Sequence, residues 1–442
     1  MVLSASLVVL QQRRTPQSAF AWLLFIVFLP YLGIPLFFAL GFRKDHGKYR
    51  TIEFPHRDET LSDTSGNNLL DGLFKGYGLP AAANGNKFQL LATGTQAHAA
   101  LMAEIRGAQR TIDITLYLVW DDAVGRDFVD ALTQRQKDGV QVRLLLDWFG
   151  SLRRPRKALR RLKHAGGEVR LFSPFVQSPF RGHMDLRNHR KMIIVDSQRA
   201  FSGGMNVASN YMGPTPMKGR WVDLAYLLEG PTVDTLCQVF LSDWQTCGVV
   251  EIPPAAKSDP ALNVGSSTTQ LAISGPDVAE DVLHSSLVQA IYSARTEIWI
   301  VTPYFLPTPE LMTALVTTAH RNVAIHIVVP EKSNQRITDL ARGSYLRELQ
   351  SAGCKIHLCP GEMVHAKAWI MDDTGFIGSA NFDVRSLMLN FETMLVLYSK
   401  EDVTRLKSWV QDLATRATSR PVPVGRFRRS IEGLFRLGSP FL

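Results

Sequence analysis

Two short stretches of this chain carry the same three residue types at the same spacing. His189, Lys191 and Asp196 stand in NHRKMIIVD, and His365, Lys367 and Asp372 stand in VHAKAWIMD. A histidine and a lysine two positions apart on a strand point to one face. That sets an imidazole, able to act as nucleophile or acid, beside an ammonium able to hold anionic oxygens, and a phosphodiester needs both. Each motif runs into an apolar, strand-like stretch (MIIV, AWIM), then a turn of small residues and an asparagine. These are Gly203, Gly204 and Asn206 in one case and Gly378, Ser379 and Asn381 in the other. His and Asn are 17 residues apart in the first and 16 in the second. Neither histidine has a His or Cys partner at ligand spacing, so no metal is expected at either motif.

The elements that must position these motifs are also written twice. Strand patterns begin at residues 112, 142 and 168 and again at 297, 324 and 355, giving offsets of 185, 182 and 187. Helical patterns lie between them, at 123–137 and 156–165 and at 282–294, 309–320 and 340–352. The two histidines are 176 residues apart, close to the same offset. A near-constant offset signals duplication of one α/β unit, with two helix-covered sheets. The expected division is a membrane segment at 1–44 (apolar core 20–42), a lead-in or linker at 45–85 and a first half at 86–250. A Pro/Ser/Thr-rich linker at 251–270, a second half at 271–418 and a basic amphipathic tail at 419–442 complete it.

The paired motifs resemble the phospholipase D superfamily and, more narrowly, the bacterial cardiolipin synthases of that type. RRTPQSAFAWLLFIVFLPYLGIPLFF, DDAVGRDFVDAL, TPYFLPTPEL and GSANFDVRSLMLNFE carry the resemblance beside the motifs themselves. It implies two sheet-and-helix halves forming one pseudo-symmetric catalytic unit. It also implies a two-step transfer through a phosphohistidine, with His189 as nucleophile and His365 as general acid. Lys191, Lys367, Asn206 and Asn381 would bind phosphoryl oxygens. Glu392 would orient His189, and Asp223 would orient His365, each across the halves, while Asp196 and Asp372 would serve structure. Asn334 stands where an acidic residue is expected, and the family often has two N-terminal spans where this chain has at most a short first one.

The implied reaction makes cardiolipin and glycerol from two phosphatidylglycerol molecules. One phosphodiester replaces another, so no cofactor is required. Hydrolysis to phosphatidic acid shares the same intermediate and is the alternative reading, with a nuclease of the superfamily behind it. The formal net charge of +9 calls for an anionic partner. The apolar N-terminus makes that partner membrane lipid rather than nucleic acid. No charged side chain lies between Arg14 and Arg43, and the 23 residues 20–42 are long enough as one helix to cross a bilayer. Pro30 and Pro35 make this either one kinked span or a hairpin, and the apolar residues 2–10 are either interfacial or part of a first span. Basic residues after the segment place the catalytic part on the cytoplasmic side of a bacterial inner membrane. At the other end, Phe427, Ile431, Leu434 and Phe435 fall at helical spacing among arginines, as in a lipid-surface helix. Four cysteines without a CxxC pair exclude a disulfide scaffold and a redox site.

Overall fold

The computed structural model describes residues 1–11, 16–41, 51–54, 69–172, 186–248, 263–278 and 280–419, together with 425, 432, 433 and 435. The first half contributes seven strands: β1 (Ala83–Leu91), β2 (Thr111–Leu116), β3 (Gln141–Asp147), β4 (Glu168–Phe172), β5 (Met192–Val195), β6 (Arg199–Gly203) and β7 (Ala225–Glu229). The second contributes β8 (Ser267–Ser274), β9 (Glu297–Val301), β10 (Phe305–Leu306), β11 (Ala324–Pro330), β12 (Lys355–Cys359), β13 (Ala368–Met371), β14 (Thr374–Gly378), β15 (Phe382–Asp383) and β16 (Glu392–Leu397). Fourteen of them form one sheet in the order β12-β11-β9-β13-β14-β16-β8-β1-β7-β6-β5-β2-β3-β4. From the centre outward the two halves repeat the same strand order. They meet where β1 pairs antiparallel with β8. The duplication expected from strand spacing is thus a repeat of topology.

Each half is built from parallel β-α-β units on one side and an antiparallel meander on the other. β2, β3 and β4 run parallel, as do β9, β11 and β12. The motif strands β5 and β13 run antiparallel to β2 and β9. The histidines, which precede β5 and β13, therefore emerge at the edge where the parallel strands end. Helices Gly94–Gly107, Ala123–Lys137 and Arg156–His164 cover one face of the first half. Helix Val233–Thr246 covers the other face, in a core continuous with the second half. The basic run at 156–164 turns Ala158, Leu159 and Leu162 inward and its charges outward, which is why it folds as a surface helix.

Three expectations need correction. The stretch 45–85 is more than a lead-in: helix Leu69–Gly76 buries Leu70 and Phe74 in the main core, and β1 begins at Ala83. Likewise β8 begins inside the expected linker, at Ser267. Of the two shapes open for residues 20–42, one kinked span or a hairpin, the apolar N-terminus takes the hairpin. It forms three short helices, Val2–Gln11, Pro16–Phe28 and Pro30–Leu40, of 10, 13 and 11 residues. The break falls at Leu29, whose φ of −131° is not helical, because the proline that follows disfavours helical backbone. Trp22 and Phe37, which a straight helix would hold about 22 Å apart, have ring centroids 5.3 Å apart, so the third helix doubles back on the second. Among the described residues no helix is long and apolar enough to cross a membrane. The positive-inside count presupposes a span and gives these helices no orientation. The expected lipid-surface helix at the C-terminus lies almost wholly outside the described residues; Phe435 alone among its four apolar positions is described, and Glu432 is buried against Arg347. All four cysteines are unpaired thiols.

Candidate active site

The loops that carry the two histidines cross between halves. His189 donates its backbone N–H to the carbonyl of Phe391, and Phe391 donates to Arg187. In the mirror arrangement His365 donates to the carbonyl of Val222, and Val222 donates to Met363. Each short bridge, Asn188 with Phe391 and Val222 with Val364, runs parallel. The residue that follows the bridge partner is an acid: Glu392 after Phe391 and Asp223 after Val222. Backbone pairing therefore delivers each carboxylate to the histidine of the other half. His189 Nδ1 lies 2.9 and 3.0 Å from the two Glu392 oxygens, and His365 Nδ1 lies 2.7 Å from Asp223 Oδ2. With Nδ1 bound in this way, Nε2 of each ring is the nitrogen left for chemistry.

The lysines sit beside the histidines, as their spacing requires. Lys191 donates to the His189 carbonyl at 2.7 Å, and Lys367 lies 2.8 Å from His365 Nδ1 and 3.1 Å from Nε2. Both side chains are fully buried. Burial lowers Lys191 to about 7, aided by repulsion from Lys367, and lowers Lys367 to about 8. Burial also lowers both histidines, His365 to about 3 with Lys367 as the second cause. The carboxylates are lowered as well, which keeps them ionised. Burial alone would raise them, but His189 and Lys191 hold Glu392 low, while His365 and Lys367 hold Asp223 low. The two ionised carboxylates are engaged by the histidines, which leaves the buried lysine ammonium groups as donors for the oxygens of an incoming anionic phosphodiester. That anion would in turn raise the histidines toward protonation.

The halves are not identical at the carboxylates. Ser379 donates to Glu392 Oε2 at 2.6 Å and accepts the Thr393 N–H at 3.0 Å. The first half has Gly204 at the matching turn, and a Cβ there would lie 2.3 Å from Asp223 Oδ1. Asn206 and Asn381 are buried just past these turns, each with a side-chain carbonyl that has no partner. Asn206 pairs with Tyr211, whose ring meets the His365 ring edge-on at 5.0 Å. Asp196 and Asp372 lie at the far ends of β5 and β13. Asp196 accepts from the backbone N–H groups of Gln109, Arg110 and Thr111, and Asp372 from those of Arg295, Thr296 and Glu297. Both are in left-handed backbone, at φ 54° and 49°. They tie the motif strands to β2 and β9, away from the histidines.

Several residues of the site were not read from the sequence. Arg190, between the motif His and Lys, points to the opposite face. It is fully buried and pairs with Asp243 at 2.6 Å and Asp277 at 2.7 Å, one from each half. Asp147, at the end of β3, accepts the Asn188 N–H and is raised by burial to about 6. Tyr117 meets the His189 ring edge-on at 4.9 Å, and Trp221 lies 5.3 Å from His365. The repeated TLYLV and TPYFL stretches, and a tryptophan two residues before Asp223, were the available signals.

A duplicated α/β sheet whose two histidines each pair with a carboxylate of the other half defines the phospholipase D class of fold and site. The chain belongs to the cardiolipin synthase family of that class: residues 101–243 and 287–414 match the family described as "Cardiolipin synthase, PLD-like domain". Residues 1–41 match "Phospholipase D-nuclease N-terminal". The chain is 30% identical over 435 residues to the probable cardiolipin synthase YwiE of Bacillus subtilis, covering 95% of this chain and 87% of that one. It is 31% identical over 473 residues to cardiolipin synthase A of Erwinia tasmaniensis, covering 100% and 96%. Among solved structures, the phosphatidylserine synthase of Haemophilus influenzae shares the fold at a TM-score of 0.64 and 13% identity, over 85% of this chain and all of that one.

Proposed function

We propose that this chain makes cardiolipin and glycerol from two molecules of phosphatidylglycerol through a phosphohistidine. The observation that carries the reading is the pair of imidazoles, each with Nδ1 held by a carboxylate of the other half, beside two buried lysines. Family membership supports the reaction class. His189 Nε2 attacks phosphorus, and the bond from phosphorus to the glycerol headgroup oxygen breaks. His365, protonated once the phosphodiester has entered, gives its Nε2 proton to that oxygen, and glycerol leaves. The phosphatidyl group is then on His189 and His365 is neutral. His365 next takes the proton from a glycerol hydroxyl of a second phosphatidylglycerol, whose oxygen attacks phosphorus. The P–N bond breaks, cardiolipin forms, and both histidines return to their starting state. Lys191, Lys367, Asn206 and Asn381 hold the non-bridging oxygens as charge builds on them.

The substrate is a bilayer lipid, so the protein works at a membrane, here read as the cytoplasmic face of a bacterial inner membrane. The three N-terminal helices support association without a span: Leu3, Leu7, Phe20, Leu24, Phe28 and Leu32 are exposed apolar side chains. The test is acid-quench trapping of the intermediate with acyl-labelled phosphatidylglycerol. Label should appear on the peptide bearing His189 and vanish in His189→Ala. With a donor that has a good leaving group, His365→Ala should still form it. Label on the His365 peptide alone would reverse the two roles.

A further inference from the structure

The described residues from 69 onward hold six large apolar side chains that stand in solvent: Leu69, Phe149, Leu152, Met217, Tyr292 and Ile337, at 57%, 50%, 45%, 43%, 40% and 48% exposure. A random scatter would place them anywhere on the surface. Four lie at the active-site edge of the sheet, three on loops and Ile337 in the first turn of helix Arg336–Ser351. Phe149 and Leu152 follow β3, and Ile337 follows β11. These are the same position in the two halves. Met217 lies in the turn before Trp221, the ring beside His365.

Contacts tie these loops to the cleft. The Arg187 guanidinium sits 4.6 Å from the Phe149 ring, two residues before His189. Ser151 donates to the Tyr117 carbonyl at 3.1 Å, and the Tyr117 ring lies against His189. In the second half Tyr304 donates its hydroxyl to Asn334 Oδ1 at 2.6 Å, three residues before Ile337. Tyr304 and Tyr117 are both close enough to Tyr211 to raise its pKa through their charge. The loops therefore ring one opening.

Their charge is as uneven as their polarity. Residues 148–157, 213–220 and 331–337 hold eight arginines or lysines and one acid, Glu331. Arg153, Lys332 and Arg336 are exposed beside the apolar tips. Separate apolar tips on two loops and one helix start, each flanked by cations, form no groove for a peptide or a helix. They match a headgroup layer, in which apolar tips pass the phosphates and cations stop at them. A cleft whose substrate phosphodiester stays in the bilayer must also bring its mouth to headgroup depth.

We infer that this rim is a docking surface for anionic bilayer, with Phe149, Leu152, Met217 and Ile337 seated among the acyl chains just below the headgroups. It orients the cleft face-down on the membrane independently of the N-terminal helices. The inference rests on the lipid-phosphodiester reading above.

The test attaches an environment-sensitive fluorophore to the full-length protein at Leu152→Cys, Ile337→Cys or Tyr292→Cys, with the unsubstituted chain as background. Tyr292 is exposed at the opposite edge of the sheet, just before β9 begins. Vesicles contain phosphatidylcholine and phosphatidylglycerol in equal parts, with or without brominated acyl chains. Labels at 152 and 337 should lose roughly half or more of their emission to the brominated chains, and the label at 292 should not. On phosphatidylcholine alone the loss should shrink several-fold. Equal loss at all three positions, loss at 292 alone, no loss at 152 and 337 while the protein sediments with vesicles, or equal loss on both lipid mixtures would each overturn the inference. Cardiolipin is measured on the same vesicles. Docking without product would count against the reaction and leave the surface standing, whereas product without docking would do the reverse.

Discussion

Glu392→Gln removes one charge and no volume, and the geometry says what it does. Ser379 accepts the Thr393 N–H and donates to Glu392 Oε2 at 2.6 Å, closer than its other acceptor, the Thr393 carbonyl at 3.2 Å. A glutamine that keeps this short bond turns its carbonyl oxygen toward Ser379 and its amide NH2 toward His189. A donor facing Nδ1 forces the ring proton onto Nε2, which is the lone pair needed to attack phosphorus. Imposing the wrong tautomer in this way costs about 10⁴-fold in kcat in a histidine–carboxylate pair, or about 5 kcal/mol of transition-state stabilisation. The fold should survive, because an isosteric side chain replaces a buried charge. The assay is cardiolipin formation from phosphatidylglycerol vesicles, with trapping of the labelled enzyme and a melting curve alongside. Activity within tenfold of the parent, at an unchanged melting temperature, would refute the orienting role of Glu392.

Asp196→Ala should leave the histidines in place but strip the acceptor from three backbone N–H groups at residues 109–111. The expected cost is about 2–4 kcal/mol of stability, with activity per folded molecule kept within tenfold; lost activity at an unchanged melting temperature would contradict it. Burial alone would raise the Asp196 pKa, but the backbone donors hold it low, so its contribution to stability is present above the unfolded value near 4 and disappears as pH falls through the lower folded value. Arg190→Met leaves Asp243 and Asp277 buried without their cation and should cost about 3–5 kcal/mol, read in thermal unfolding. Lys191 and Lys367, lowered mainly by burial to about 7 and about 8, lose their charge as pH rises. kcat/KM should therefore fall between about pH 7 and 9, while kcat falls less, because a bound phosphodiester favours the ammonium forms. A flat kcat/KM across that range would remove the lysines from phosphate binding.

The motif residues and the duplication were legible because they depend on local spacing. Helices 123–137 and 309–320 and strand 168–172 were legible from the alternating apolar patterns of helix and strand. What joins the halves was not legible. β1 and β8 pair over a separation of about 180 residues, and the Arg190–Asp243–Asp277 cluster assembles over 53 and 87. No local pattern reports such distances. The cross-half pairing of Glu392 and Asp223 came from family resemblance, and the backbone bridges at Phe391 and Val222 supply its physical reason. The N-terminus was legible in part: Pro30 offered a hairpin, which the break at Leu29 matches, whereas hydrophobicity alone suggested one spanning helix.

The most direct test of the central claim is to incubate the purified full-length protein with phosphatidylglycerol alone, with a chelator and no nucleotide, and to resolve the products. Cardiolipin and glycerol should form in equal amounts. Phosphatidic acid and glycerol without cardiolipin would contradict this claim and make the second acceptor water.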